Sequence, residues 1–204
     1  SPAIKMSYQQ AFLTYLNIDP LSASFEQIKT LVLSFSDDNW LKQTQDKNTL
    51  LQWLFSMKIE PVLGKAGGKT GGKSAGKTLI NNLPKITPCF VYDFPASQAS
   101  LARINKDDSR VAHRFELYFN GVELANGFYE LQDVEEQLTR FEQDNLQRQE
   151  MGLAVKPIDQ HFLSALAHGL PDCAGVAVGL DRLFMLQQGL EHIEQAVSFS
   201  VHNA

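Results

Sequence analysis

Three carboxylates, Glu116, Glu123 and Glu130, recur every seven residues in a stretch that alternates apolar and polar positions. Asn120 and Gly121 lie between the first two, and this residue pair suits the positive φ angles of a two-residue hairpin turn. With such a turn, residue 119 faces 122 and 118 faces 123, so Glu116 lies diagonally beside Glu123 on the face that carries Tyr118. Neighbouring carboxylates repel unless a cation sits between them. Oxygen ligands of this type suit Mg²⁺, which takes one or two carboxylates and completes its shell with substrate phosphates. The spacing also fits a polar, solvent-facing strand face. On the return strand, Asn126, Phe128 and Glu130 fall at alternate positions and share one face. Together they could receive an ammonium group, Glu130 by charge, Asn126 by hydrogen bonding and Phe128 as an apolar wall. A strand end kinked at Gly127 is the plainer alternative.

A second cluster runs from Gly175 to Arg182 as GVAVGLDR. Gly175, Ala177 and Gly179 line one strand face and let a ligand approach the backbone closely. Arg182 follows at the head of a helix, where the helix dipole disfavours positive charge. A cation there implies that an anion completes the site, and an ATP phosphate is the obvious candidate. Asp181 as a simple helix cap, with Arg182 solvated, is the alternative. Residues 71–78 (GGKSAGKT) match the phosphate-loop pattern G-x-x-x-x-G-K-T. A working loop of that kind follows a hydrophobic strand and opens a helix. Here Gly-Lys repeats precede it and prolines 84 and 88 follow, so the match reads as low complexity.

The elements that must position these residues are legible in outline. Residues 7–16 form a helix with Phe12, Leu13 and Leu16 on one face. A second helix over 24–35 opens on a capping box, Ser24 with Gln27. A third, over 46–58, is capped by Asp46 and turns Leu50, Leu51, Trp53, Leu54 and Met57 to the core. Residues 88–94 read as a buried strand, and 111–119 with 122–130 as the hairpin. Asp133 with Glu136 opens a long polar helix to about residue 150, and 159–168 form a short amphipathic helix. Residues 174–180 are β-prone; Asp181 starts the last helix, and Gly189 ends it.

The chain of 204 residues has 44% hydrophobic content, enough for one full-sized core. Lys and Arg number 18 against 23 Asp and Glu, a net charge of −5, which excludes a strongly basic nucleic-acid coat protein. Residues 64–80 form a Gly/Lys-rich insert whose composition predicts a flexible loop. Setting aside its lysines at 65, 69, 73 and 77 leaves 14 basic against 23 acidic residues, an acidic body with one basic loop. No stretch is long and apolar enough for a membrane helix, and none reads as a signal peptide. The two cysteines, Cys89 and Cys173, form neither a disulfide framework nor a metal pair, so a reducing cytoplasm is expected. The chain opens on Ser rather than Met, which predicts a piece cut or processed from a longer protein.

Taken in order, these segments resemble the class II aminoacyl-tRNA synthetases, and within them the lysyl branch. RFELYFNGVELANGFYELQDVEEQLTRF is similar to that branch's metal- and lysine-binding hairpin. GLPDCAGVAVGLDRLFML is similar to motif 3, a strand and helix ending in an ATP-binding arginine. With PCFVYDFPASQASLA the resemblance covers roughly residues 88–204. PASQASLA, and Ala177 where lysyl-tRNA synthetases carry glycine, point to the paralogous family that ligates lysine to elongation factor P.

The resemblance implies an α+β fold, a class II synthetase-like antiparallel sheet flanked by helices. Residues 1–204 would be the C-terminal part of a catalytic domain, with motifs 1 and 2 before Ser1 and no activity expected of this part alone. It implies ATP and Mg²⁺ as cofactors, with activation of (R)-β-lysine or lysine as an adenylate and transfer to a lysine of elongation factor P. A homodimer is expected for the whole protein; tRNA and membranes are not expected as partners. Glu116 and Glu123 would hold Mg²⁺, Glu123 and Leu124 would touch ATP, and Glu130, Asn126 and Phe128 would receive the substrate amine. Gly175, Ala177 and Gly179 would floor the pocket, with Gly179 near ATP, and Arg182 would clamp the γ-phosphate as the catalytic residue. A fragment of a true lysyl-tRNA synthetase is the alternative; a phosphate-loop NTPase and a non-catalytic binding module are more distant ones.

Overall fold

The first element is one that periodicity does not reveal. In the structure, a computed structural model describing residues 3–65 and 86–201, strand β1 (Ile4–Ser7) pairs in parallel with β2 (Cys89–Pro95), Ile4 opposite Cys89. Four residues are too few for alternation to register as a strand. Ser7 closes β1 and caps helix α1 (Tyr8–Leu16), exchanging hydrogen bonds with Gln10 in a capping box. Asn17 ends α1 in the left-handed conformation (φ 55°). Ser24 and Gln27 form the expected box at the head of α2 (Phe25–Leu33). A short α3 (Asn39–Gln43) follows, and Asp46 caps α4 (Lys47–Leu54) through Asn48 and Thr49.

Two helix-face expectations need correction. Leu13 is exposed; Phe12 is buried as expected, with Tyr8 and Ala11 beside it. Met57 is also exposed, because α4 continues as a π-helical turn (Phe55–Ile59). The wider turn brings Phe55 and Ile59 to the core and rotates Met57 outward. The core lies between these helices and the sheet. Tyr8 stands 4.8 Å from Phe12, 5.0 Å from Phe55 and 5.1 Å from Phe94, ring to ring. Such aromatic contacts add to the burial that holds the helices on the sheet.

Among the described residues the sheet has five strands in the order β1-β2-β3-β4-β5, antiparallel except for β1 with β2. β3 (Val111–Phe119) and β4 (Val122–Tyr129) form the expected hairpin, with Asn120 at φ 53° and Gly121 at φ 77°. A Cβ on Gly121 would approach the Pro61 carbonyl oxygen to 2.7 Å, so the turn needs glycine for both its angle and its closeness to residues 60–62. Asp133 caps the long helix α5 (Val134–Glu150), and Asp159 caps α6 (Gln160–Ala167). β5 (Ala174–Val178) is an edge strand with Val176 and Val178 exposed. Helix α7 (Leu180–Gln188) starts one residue earlier than the sequence predicts. Gly179 occupies the cap position, Asp181 lies inside the first turn, and Gly189 closes the helix at φ 65°. The phosphate-loop match at 71–78, and the insert beyond Lys65, lie outside the described residues. Among the described residues no helix is long and apolar enough to cross a membrane.

Candidate active site

The hairpin register brings the site together through an irregularity. Phe119 faces Val122 and Tyr118 faces Glu123, as a two-residue turn requires. The register then shifts, so that Leu117 faces Ala125 and Glu116 faces Asn126. Leu124 is the extra residue of a β-bulge. Alternation alone would send Glu123 and Asn126, three apart, to opposite faces. The bulge reverses that parity and puts Glu123, Asn126 and Phe128 on the face of Arg114, Glu116 and Tyr118. The next strand continues the face, with Ala177 opposite Asn126 and Gly175 opposite Phe128. The Leu124 carbonyl accepts a 2.8 Å bond from the Gly179 N–H, which ties the bulge to the head of α7.

One end of this face is roofed by α4 and its π-turn. They enclose a cavity of about 210 Å³ whose lining includes Glu60, Arg114, Glu116, Tyr118 and Glu123. Glu116 is buried; its Oε1 lies 2.5 Å from Arg114 Nη2, and its Oε2 accepts from the Tyr118 hydroxyl. Burial pushes the Glu116 carboxyl above its ordinary value against the pull of Arg114 and Tyr118, and the charge of Glu123 adds to the rise. Arg182 Nη1 donates to the Glu123 carbonyl at 2.9 Å and lies 3.4 Å from its carboxylate. Each carboxylate of the pair therefore already faces an arginine. Repulsion between them is offset within the chain, which the sequence reading did not foresee.

Arg114 is the clearest residue of the cavity that sequence reasoning missed. Its Nε donates to Asn126 Oδ1 at 3.3 Å, its Nη1 donates to the Gln98 carbonyl at 2.9 Å, and its guanidinium lies 4.7 Å from the Phe94 ring centre. It stands two residues before Glu116, so strand alternation could have placed it on the same face. Glu60 was also missed, and no local signal marks it. Burial raises its carboxyl, and the charges of Glu116 and Glu123 raise it further. A carboxyl raised in the folded state stabilises the fold only while protonated, and that contribution is lost as pH rises from below the unfolded value through the folded one. Glu60→Gln is therefore expected to raise the Tm at pH 7, with variant and parent converging below about pH 4, under the unfolded carboxyl value. Thermal melts across that range check this; equal Tm values at pH 7 would mean that folding leaves the Glu60 carboxyl at its unfolded value.

Glu116 and Glu123 turn oxygen donors into one cavity, the chemistry that Mg²⁺ prefers. Among the described residues, no three His, Cys, Asp or Glu side chains form a group that could hold a metal ion. Two carboxylates plus phosphate oxygens suffice for Mg²⁺, so the donor set fits an ion held jointly with a nucleotide.

At the far end of the face, Glu130 follows β4 and pairs with Ala102 in an isolated bridge. Its Oε1 lies so close to Gly175 that a Cβ there would overlap it. Asn126, Phe128, Glu130, Gly175 and Ala177 thus line one strip beside the carboxylate cavity. Gly179 and Arg182 close it at the β5–α7 junction.

A family model described as "tRNA synthetases class II (D, K and N)" matches residues 1–203. The chain is 49% identical over 203 residues, 100% of its length, to a protein of Salmonella typhi named elongation factor P–(R)-β-lysine ligase. It is 49% identical over 199 residues (98%) to the ligase of that name from Photobacterium profundum, and 48% over 197 (97%) to that from Vibrio vulnificus. These matches span 56%, 55% and 55% of the relatives' own lengths, so the chain corresponds to about half of each. With its sheet, its bulged carboxylate hairpin and the β5–α7 junction, the chain belongs to the class II tRNA synthetases of the D, K and N group.

Proposed function

We propose that this chain forms part of the catalytic domain of an ATP-dependent ligase. The whole protein activates (R)-β-lysine or lysine and transfers it to a lysine of elongation factor P. The observation that carries this reading is the single sheet face uniting Glu116, Glu123, Asn126, Phe128, Gly175 and Ala177. The names of the relatives, all at about half identity, support the acceptor and the amino acid. In the reaction, a carboxylate oxygen of the amino acid attacks the α-phosphorus of ATP, and the bond to the β-phosphate oxygen breaks to release pyrophosphate. The acceptor lysine amine then attacks the acyl carbon, loses a proton and expels AMP.

The chain's residues bind and orient; none acts as a nucleophile. Glu130 pairs with the substrate ammonium, Asn126 bonds to it and Phe128 walls it. Arg182 swings from Glu123 to the γ-phosphate, while Glu123 and Leu124 meet ATP beside Gly179. Mg²⁺ held by Glu116 and Glu123 would neutralise charge on the phosphates, the usual large contribution in phosphoryl chemistry. The remaining synthetase motifs lie in the other half of the protein, and the whole enzyme works as a homodimer. The two free cysteines of this chain, with the buried Cys89 thiol pushed up to about 12, suit a cytoplasmic setting.

The test is pyrophosphate exchange by the whole protein with each lysine isomer, followed by transfer to elongation factor P or to tRNA. Charging of tRNA in preference to elongation factor P would sink the reading. Within it, Ala177 sets the isomer. Its methyl stands on the site face opposite Asn126. β-Lysine carries its amine one carbon further from the carboxylate, so a methyl crowding the α-amino position penalises only α-lysine. Ala177→Gly is expected to improve kcat/KM for α-lysine relative to β-lysine by about 10–200-fold, the range for one methyl in a pocket. An unchanged ratio would reduce Ala177 to a packing residue.

A further inference from the structure

Glu130 is held by a clamp that lies outside the site. Three segments meet at its backbone. Leu131 N–H donates to the Leu101 carbonyl at 2.9 Å, Arg103 N–H to the Tyr129 carbonyl at 2.9 Å, and Glu130 N–H to the Cys173 carbonyl at 3.0 Å. The Arg103 side chain links all three, by one hydrogen bond and one ion pair. Its Nε donates to the Glu130 carbonyl at 2.6 Å, and its Nη2 lies 2.7 Å from Asp172 Oδ1. The guanidinium stacks on Tyr129, 4.2 Å from the ring centre. The Tyr129 hydroxyl reaches Asp172 at 2.7 and 2.8 Å, closing the triad. Asp172 stands two residues before β5 and three before Gly175, the residue against which the Glu130 carboxylate rests.

We infer that Arg103 is a positioning residue for amino-acid binding: with Tyr129 and Asp172 it fixes the Glu130 backbone so that the carboxylate meets the substrate ammonium beside Gly175. Arginine is suited to this because its Nε hydrogen-bonds the Glu130 carbonyl while the same planar guanidinium is ion-paired to Asp172 and stacked on Tyr129. Lysine, a single flexible point charge, serves one of them at a time. The clamp acts on binding rather than on chemistry, since none of its atoms lines the carboxylate cavity. This inference rests on the reading of Glu130 as the ammonium partner.

The experiment is pyrophosphate exchange by the whole protein, with the amino acid and ATP titrated separately. Arg103→Gln is expected to raise the amino-acid KM about tenfold, the scale of one lost charge-assisted hydrogen bond, with the ATP KM and kcat unchanged. Arg103→Lys should recover only part of that loss. Asp172→Asn should move the same constant, and the double variant should be no worse than Arg103→Gln, because the pair acts as one unit. If Arg103→Gln does not fold, Asp172→Asn carries the test. Equal losses in kcat and both KM values, tracking a lowered Tm, would overturn the proposal in favour of a purely structural clamp. Glu130→Gln separates the two layers. If it leaves the amino-acid KM unchanged, the ammonium reading fails. If it raises that KM while Arg103→Gln does not, only the positioning role fails.

Discussion

Adding one methyl group at residue 175 is expected to raise the amino-acid KM of the whole enzyme by roughly 100-fold, the scale for losing one partner of a desolvated charge pair. The Cβ of Gly175→Ala would land on Glu130 Oε1, with the rest of that carboxyl group just beyond. Gly175 is not at a positive φ, so alanine is acceptable to the backbone there. What must move is the end of a side chain, and swinging it away is easy. The fold should survive with its Tm near that of the parent, while the carboxylate leaves the place where an ammonium would meet it. Gly127 is the natural control. A Cβ there would overlap the Phe115 ring and sit 2.9 Å from the Gly175 carbonyl, so Gly127→Ala should act through stability, as overpacking does. Titrating the amino acid in pyrophosphate exchange, alongside melts of both variants, checks the contrast. An unchanged KM in Gly175→Ala would mean that Glu130 does not hold the substrate.

Glu123→Gln should lower Mg²⁺-dependent pyrophosphate exchange by about two to three orders of magnitude, the range seen when a group stabilising transition-state charge is removed. Arg182 keeps its 2.9 Å bond to the backbone carbonyl of residue 123, so the β5–α7 junction should stay in place and the Tm should change little. In the proposed reaction the substitution would remove the charge that Arg182 leaves behind on turning to a phosphate, and would put a neutral, weaker amide oxygen where a carboxylate would hold the ion. The Mg²⁺ concentration giving half-maximal exchange should rise in parallel. Near-normal exchange at ordinary Mg²⁺ would remove the metal role from this pair.

Local chemistry was legible in the residues alone. Asn120-Gly121 specified a turn because few other pairs accept two positive φ angles. Ser24, Asp46 and Asp133 marked helix starts because a side-chain oxygen there satisfies a free N–H within three residues. Alternation placed Asn126, Phe128 and Glu130 on one face, and Gly175 with Ala177 on another that proves to be the same. The acidic pair, the amine trio and Arg182 could all be named from spacing and from the family resemblance.

Only the tertiary structure decided what joins these pieces. The bulge at Leu124 is a register choice between two strands and leaves no mark in either taken singly, yet it determines that Glu123 and Asn126 share a face. Arg114 and Arg182 supply the cations that the carboxylates call for, and Arg182 comes from 59 residues away. Glu60 enters the cavity because a π-turn rotates the chain behind α4 and the hairpin turn packs on Pro61. β1 exists because β2, more than eighty residues later, offers it an edge. Caps and turns close over three or four residues, so local sequence carries their energy. Register, burial and charge pairing depend on which distant surfaces meet, and that is determined when the whole core packs.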